Sequence, residues 1–302
     1  MVTARDAGLS IDQDLLQSQA EFTRKSFLRD AEKLRGGKDI GGRAMTVSYG
    51  LWALSMAKVD ADDATAAMVD YLIKKQREDG YWTGQAVRPP MEESQAFCTV
   101  LTVIGVRKYA VAAQNEAVDA AVAKAKTWLF KVQPISQEDK AARLWGMNLL
   151  DAAKDDLDAA RKAVLSAQRE DGGWSQAEGM ESDAYATGQT LFVLHATGTP
   201  TTAKAYERGA AFLLKTQLDD GSWHVKSRSK PVQVYFDNGD PHGKDQFIST
   251  PATCWAIWRS TCCGCRSTRF TCTTLPTCHW ALEYRPPRGA SKPTGERDSK
   301  HA

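Results

Sequence analysis

One phrase is written three times in this chain, each time closing an apolar helical run: YLIKKQREDGYW (71–82), ARKAVLSAQREDGGW (160–174) and FLLKTQLDDGSW (212–223). In every copy a Gln stands six positions before the Trp, with Asp-Gly between them. The Gly opens backbone angles closed to other residues, so the chain can leave a helix sharply. The Trp covers a large area between neighbouring helix ends, and the Gln amide can bond backbone groups freed there. Gln76, Gly80, Trp82, Gln168, Gly172, Trp174, Gln217, Gly221 and Trp223 are therefore expected to fasten repeated helical units side by side.

Two kinds of helical run alternate between the copies. Ala64–Gln76, Ala117–Gln133, Asp156–Gln168 and Ala203–Gln217 are amphipathic and lead to a Gln, and Gln13–Leu34 is of the same kind. Thr46–Ala57, Gln95–Val106, Lys140–Ala153, Asp183–Ala196 and Ser249–Trp258 are rich in Ala, Ser, Thr and apolar residues. The first pattern fits an outer helix wet on one side, and the second an inner helix packed all round. No segment alternates convincingly as a strand. The Gln positions 76, 133, 168 and 217 lie 57, 35 and 49 apart, which implies helix pairs joined by loops of uneven length. A fourth occurrence, between the first two copies, is degenerate, since KTWLFKVQPISQED keeps Gln133 but has Pro134-Ile135 where Gly and Trp should follow.

Q-x3-G-x-W closing an outer helix resembles the QW motif of squalene–hopene cyclases and related triterpene cyclases. The alternation of inner and outer helices is similar to their α/α toroid, which prenyltransferase β-subunits share. The resemblance spans about Gln13–Trp258 and implies an all-α ring of antiparallel helix pairs over residues 1–258. It implies a central cavity for an isoprenoid or other apolar ligand, and, if the protein is active, a cyclase-like isomerase. The alternative is a non-catalytic helical-repeat scaffold. A wide aromatic-lined centre would favour the first, and an axis plugged by side chains the second.

Cyclases of that kind protonate an alkene with a carboxylic acid in a DxDD motif. The one textual match here, Asp60-Ala61-Asp62-Asp63, leads into an outer helix, where these residues read as an N-cap and first-turn acids. The places that follow a fastener and open an inner helix hold Glu92-Glu93, Asp183 and Asp245, so Glu93, Asp183 and Asp245 are the candidate acids. Asp183 suits both a raised-pKa acid and an N-cap. Tyr185, Phe97 and Phe247 are candidates to line a cavity. Prenyltransferase β-subunits hold zinc through Asp, Cys and His. No Asp-x-Cys occurs here, Cys98 lies inside an inner helix and the body offers only His195, His224 and His242, so neither metal nor cofactor is expected. Arg228, Lys230, His242 and Lys244 in the loop 226–245 are candidates to meet an anion, and Asp237 and Asp240 a Ca²⁺ ion; the alternative is a solvated loop.

Charge excludes little else. The net is +2, but residues 259–302 carry eight Lys/Arg against three Asp/Glu, leaving 31 against 34 before them, with no basic stripe that would suit nucleic acid. No run approaches the roughly 18 apolar residues of a membrane span. The opening MVTARDAGLSIDQD has no apolar signal-peptide core, so the chain as written reads as cytoplasmic, or as exported if it is truncated at the start.

After Ile257 the helical pattern collapses into WRSTCCGCRSTRFTCTTLPTCHW, which holds five of the seven cysteines. With CGN arginine codons, moving back one base across Trp258–Arg266 gives an apolar helical sequence of the inner kind. We read 259–302 as an irregular, frameshifted tail that replaces the end of the last inner helix; a zinc-binding tail is the alternative, though its cysteine spacings match no familiar zinc pattern. Resequencing the nucleotides around codon 257 should reveal a displaced base, and an uninterrupted, read-verified frame would contradict this.

Overall fold

The computed structural model describes residues 2, 5, 10–85, 88–230 and 234–262, the side chains of 258–262 excepted, and over 10–262 the described residues form eleven α-helices. They are α1 (Gln13–Arg29), α2 (Ala31–Arg35), α3 (Arg43–Met56), α4 (Asp63–Lys75), α5 (Gln95–Tyr109), α6 (Asn115–Lys131), α7 (Gln137–Leu149), α8 (Lys154–Leu165), α9 (Ala184–Ala196), α10 (Lys204–Thr216) and α11 (Gln246–Cys262). Among the described residues there is no strand, only one isolated bridge between Ser175 and Ser182, and no helix long and apolar enough to cross a membrane. The expected helices are present, with shifted ends. The run Gln13–Leu34 breaks at Asp30, whose backbone leaves the helical range, giving α1 and α2. The run expected from Lys140 starts three residues sooner, because Ser136 accepts a hydrogen bond from the Asp139 N–H and Asp139 bonds back to the Ser136 N–H. Of the tail expected over 259–302, residues 259–262 continue α11, and 263–302 lie outside the described residues.

Burial separates the two kinds of helix. Every residue of Ala184–Leu194 in α9 is buried, whereas α8 buries only Ala160 and Val164. The inner helices pack in chain order, α3 on α5, α5 on α7, α7 on α9 and α9 on α11. Gly188 permits the last contact, since a Cβ there would stand 2.7 Å from the Trp255 backbone. The two ends of the series meet where Trp52 of α3 stacks on Trp255 of α11, ring centres 5.9 Å apart. Phe97 of α5, Trp145 of α7 and Phe192 of α9 join them, so each inner helix sends an aromatic ring to one cluster. Tyr49 of α3 flanks it.

The repeated phrase does the fastening. Trp82, Trp174 and Trp223 are 0, 0 and 2% exposed. Their indole N–H groups donate to Leu72, Val164 and Leu213 carbonyls at 2.7, 2.9 and 2.9 Å, each ten residues back on the preceding outer helix. Their backbone N–H groups donate to Thr99, Thr187 and Thr253, which stand on the following inner helix. Gln76 donates to Gly80 O and, at 2.7 Å, to Ala121 O of the next outer helix α6. Gln168 does the same to Gly172 O and Ala205 O of α10. One fastener thus ties three helices. Burying an indole removes ~200 Å² from water, worth on the order of 5 kcal/mol at most. Gln133 of the degenerate copy is exposed and, among the described residues, reaches only the nearby Lys131 O.

The motif glycines differ in one respect. A Cβ on Gly172 would lie 2.6 Å from Arg208 O, and one on Gly80 2.5 Å from Lys124 O, whereas one on Gly221 would meet only the Gln217 amide at 3.9 Å. Both Gly172 and Gly221 have positive φ, 90° and 83°. Alanine at either position therefore carries the left-handed penalty of about 1–2 kcal/mol, and Gly172→Ala adds a clash worth about 1–3 kcal/mol. Urea unfolding should show Gly172→Ala as the more destabilising by at least about 1 kcal/mol; equal losses would contradict the packing described.

Candidate functional site

The N-terminal ends of α5, α7 and α9 converge through their caps. Ser94 caps α5 and also donates to Asp139 Oδ1 at 2.6 Å, joining it to the start of α7. The Gln137 N–H donates to Gln176 O, and the Gln137 amide to Thr190 of α9. Between these ties lies a narrow cleft, lined by Glu93, Ser136, Glu138, Gln176, Tyr185, Gln189 and Arg228 among others.

Glu138 is its least ordinary group. It is 5% exposed, and its Oε1 accepts from the Tyr185 hydroxyl and the Gln189 amide, both at 2.8 Å. Burial pushes its carboxyl up to about 8, and the two hydrogen bonds only partly oppose that. Near neutral pH it is therefore mostly a neutral acid. The Tyr49 and Tyr185 phenols are pushed well above their usual range, by burial first and by the Glu138 charge next. The arrangement can offer a hydrogen bond or a proton to a small polar group. Among the described residues no group of His, Cys, Asp and Glu is arranged to hold a metal ion.

The three candidate acids separate. Glu93 reaches the pocket rim, where its Oε2 accepts from Arg228 at 2.5 Å. Arg228 also donates to Gln176 at 2.7 Å, and Ser229 to Pro89 O, so the segment after the third fastener is strapped across the pocket. Asp183 caps α9 by accepting from the Ala186 N–H at 2.9 Å. Burial raises it to about 6, so it is both a cap and a weakened acid, standing behind Gln176 rather than lining the pocket. Asp245 is elsewhere. It accepts from the His224 ring and the Ser227 N–H; burial pushes its carboxyl up, but those hydrogen bonds and the nearby His224 and Lys226 charges together outweigh that and hold it below the usual range.

The other sequence candidates serve the fold. Asp62 caps α4 and is paired with Arg24 at 2.7 Å, and Asp63 is paired with Arg35, so the DxDD text is a helix start. His242 shares a hydrogen bond with Ser222 and stacks on His224. Asp237 accepts from Gly239 N–H, and Asp240 from Asn238 and Thr250, so those oxygens serve internal turns. Phe97 stands in the aromatic cluster, Tyr185 on Glu138 and Phe247 against Tyr235. Glu138 itself escaped the sequence reading; its signal was the Ser136–Asp139 capping pair, which places it inside a helix.

No protein-family model matches this chain, and no curated protein matches it either.

Glu138 and Asp183 set a pH dependence. Each binds a proton in the folded state at pH values where the unfolded chain has released it, so stability is fullest below the unfolded value and declines as pH rises. The window runs from the usual 4.5 to about 8 for Glu138 and from 3.8 to about 6 for Asp183. Urea unfolding should find the wild type losing stability across that range and Glu138→Gln losing much less between about pH 6 and 8; parallel curves would contradict the buried neutral acid.

Proposed function

We propose that this chain is a helical-repeat scaffold on the α/α toroid plan of the squalene-cyclase and prenyltransferase superfamily, working without turnover at its axis. The three-way fasteners support the kinship, and the aromatic cluster supports the absence of turnover. Rings from all five inner helices fill the centre, with centroids 5.1–6.4 Å apart along the Trp52, Phe97, Trp145, Phe192 and Trp255 set. A pocket for a drug-sized apolar ligand encloses about 300–1,000 Å³ behind a mostly apolar lining. The cleft here has no enclosed space of that order, and acids, amides and an Arg–Glu pair line it. A long isoprenoid would have to displace the rings that hold the inner helices together.

A second reading, a cyclase-like isomerase acting on an isoprenoid, draws on Glu138, an acid kept neutral by burial above that aromatic cluster. On that reading Glu138 would take the part expected of Asp183. Incubation with squalene and with prenyl diphosphates, followed by product analysis beside a working cyclase, separates the two. The scaffold reading predicts no cyclised product from the wild type. A product that disappears in Glu138→Gln would establish the second reading instead.

A further inference from the structure

The three fasteners are alike within themselves and differ in what covers them. Gln76 and Gln168 each spend one amide hydrogen on their own turn and the other on the next outer helix, at Ala121 O and Ala205 O. Three residues on, the backbone at Lys124 and Arg208 lies against Gly80 and Gly172. Arg208 also donates to the Arg169 and Glu170 carbonyls of the turn it covers. The two covering helices therefore share a pattern: a small residue whose carbonyl takes the Gln amide, then a basic residue three positions later beside an acidic turn, Glu78-Asp79 or Glu170-Asp171.

The third fastener carries the same equipment without a cover. Among the described residues the Gln217 amide reaches only Gly221 O, at 2.9 Å. Its turn, Asp219-Asp220, is acidic like the others, yet Gly221 is half-buried where Gly80 and Gly172 are buried. The outer helix beside it shows the same difference. The indole acceptors Leu72, Val164 and Leu213 put the helices in register, so that Leu214 corresponds to Ile73 and Leu165. Ile73 and Leu165 are packed against the core, but Leu214 is 49% exposed and Leu218 44%.

We propose that the face formed by Leu214, Gln217, Leu218 and Gly221 docks a helix from a partner polypeptide, one with a small residue followed three positions later by Lys or Arg. The filled copies define the core of that chemistry: one carbonyl for the free Gln217 amide hydrogen, a bare backbone against Gly221 and a basic side chain over the carbonyls of the turn; the exposed Leu214 and Leu218 add apolar contact, and Asp219-Asp220 a negative surface that favours the cation. The inference names a partner and so rests on the scaffold reading. Turnover of squalene would overturn that reading while leaving a binding measurement unchanged, so the two can fail separately.

The probe is a fluorescein-labelled peptide with the sequence of α6, NEAVDAAVAKAKTWLFK, titrated with the full chain and followed by anisotropy. A helix of this length is marginal alone, so binding is sought up to about 1 mM protein. Saturable binding is expected, weakened about tenfold or more when the peptide carries Lys124→Glu and lost when the chain carries Leu214→Glu. Leu214 is exposed, so that variant should keep the fold, which circular dichroism checks. No binding at the limit, or binding indifferent to both changes, would overturn the proposal. A dimer seen by sedimentation that Leu214→Glu dissolves would also overturn it, by assigning the face to a second copy.

Discussion

A helix end leaves carbonyls and N–H groups without partners, and a stack of short helices multiplies that problem at every turn. The Gln–Gly–Trp exit answers it with one side-chain amide bonded to two carbonyls, its own turn's and a neighbour's, and one indole bonded ten residues back. Because the indole is fully buried, its N–H would cost about 1–3 kcal/mol if left unpaired. The bond therefore fixes the angle at which the turn meets its own helix. Gly172 then lets the Arg208 carbonyl approach as closely as it does. Position of the inner helices follows, since each Trp N–H is held by a threonine one helix further along.

With the outer layer so fixed, each inner helix packs against its outer neighbours on one side and against other inner helices on the other. α9 is buried along nearly its whole length, and the aromatic ring that each inner helix contributes meets the others in one cluster. Polar groups collect instead at the N-terminal ends, where caps and loops meet. That is where Glu138 is buried, and it is tolerated because Tyr185 and Gln189 satisfy one oxygen and a retained proton removes the charge. The strap through Arg228 and Ser229 joins segments 135 and 140 residues apart over the same end.

The outer layer was legible because its signal is local: three motif copies, each within seven residues, and amphipathic runs leading to them. Asp62 as a cap was legible for the same reason. The aromatic cluster was not, because a helix with no wet face gives no sign of where Trp52, Trp145 or Trp255 points. Nor were the threonines that hold the Trp N–H groups, at 17, 13 and 30 residues beyond their partners. Glu138 was hidden by a helix start placed at Lys140, and Asp245 by the assumption that equal places after a fastener lead to one site. The long loop instead turns Asp245 toward His224.

The most direct measurement is hydrogen exchange at the indole nitrogens, resolved by NMR for each tryptophan. If the exits hold the fold together, the indoles of Trp82, Trp174 and Trp223 exchange only with global unfolding, and their protection falls together as urea is added. Exchange at these three at the rate of an exposed indole, while the inner-helix amides stay protected, would contradict the account.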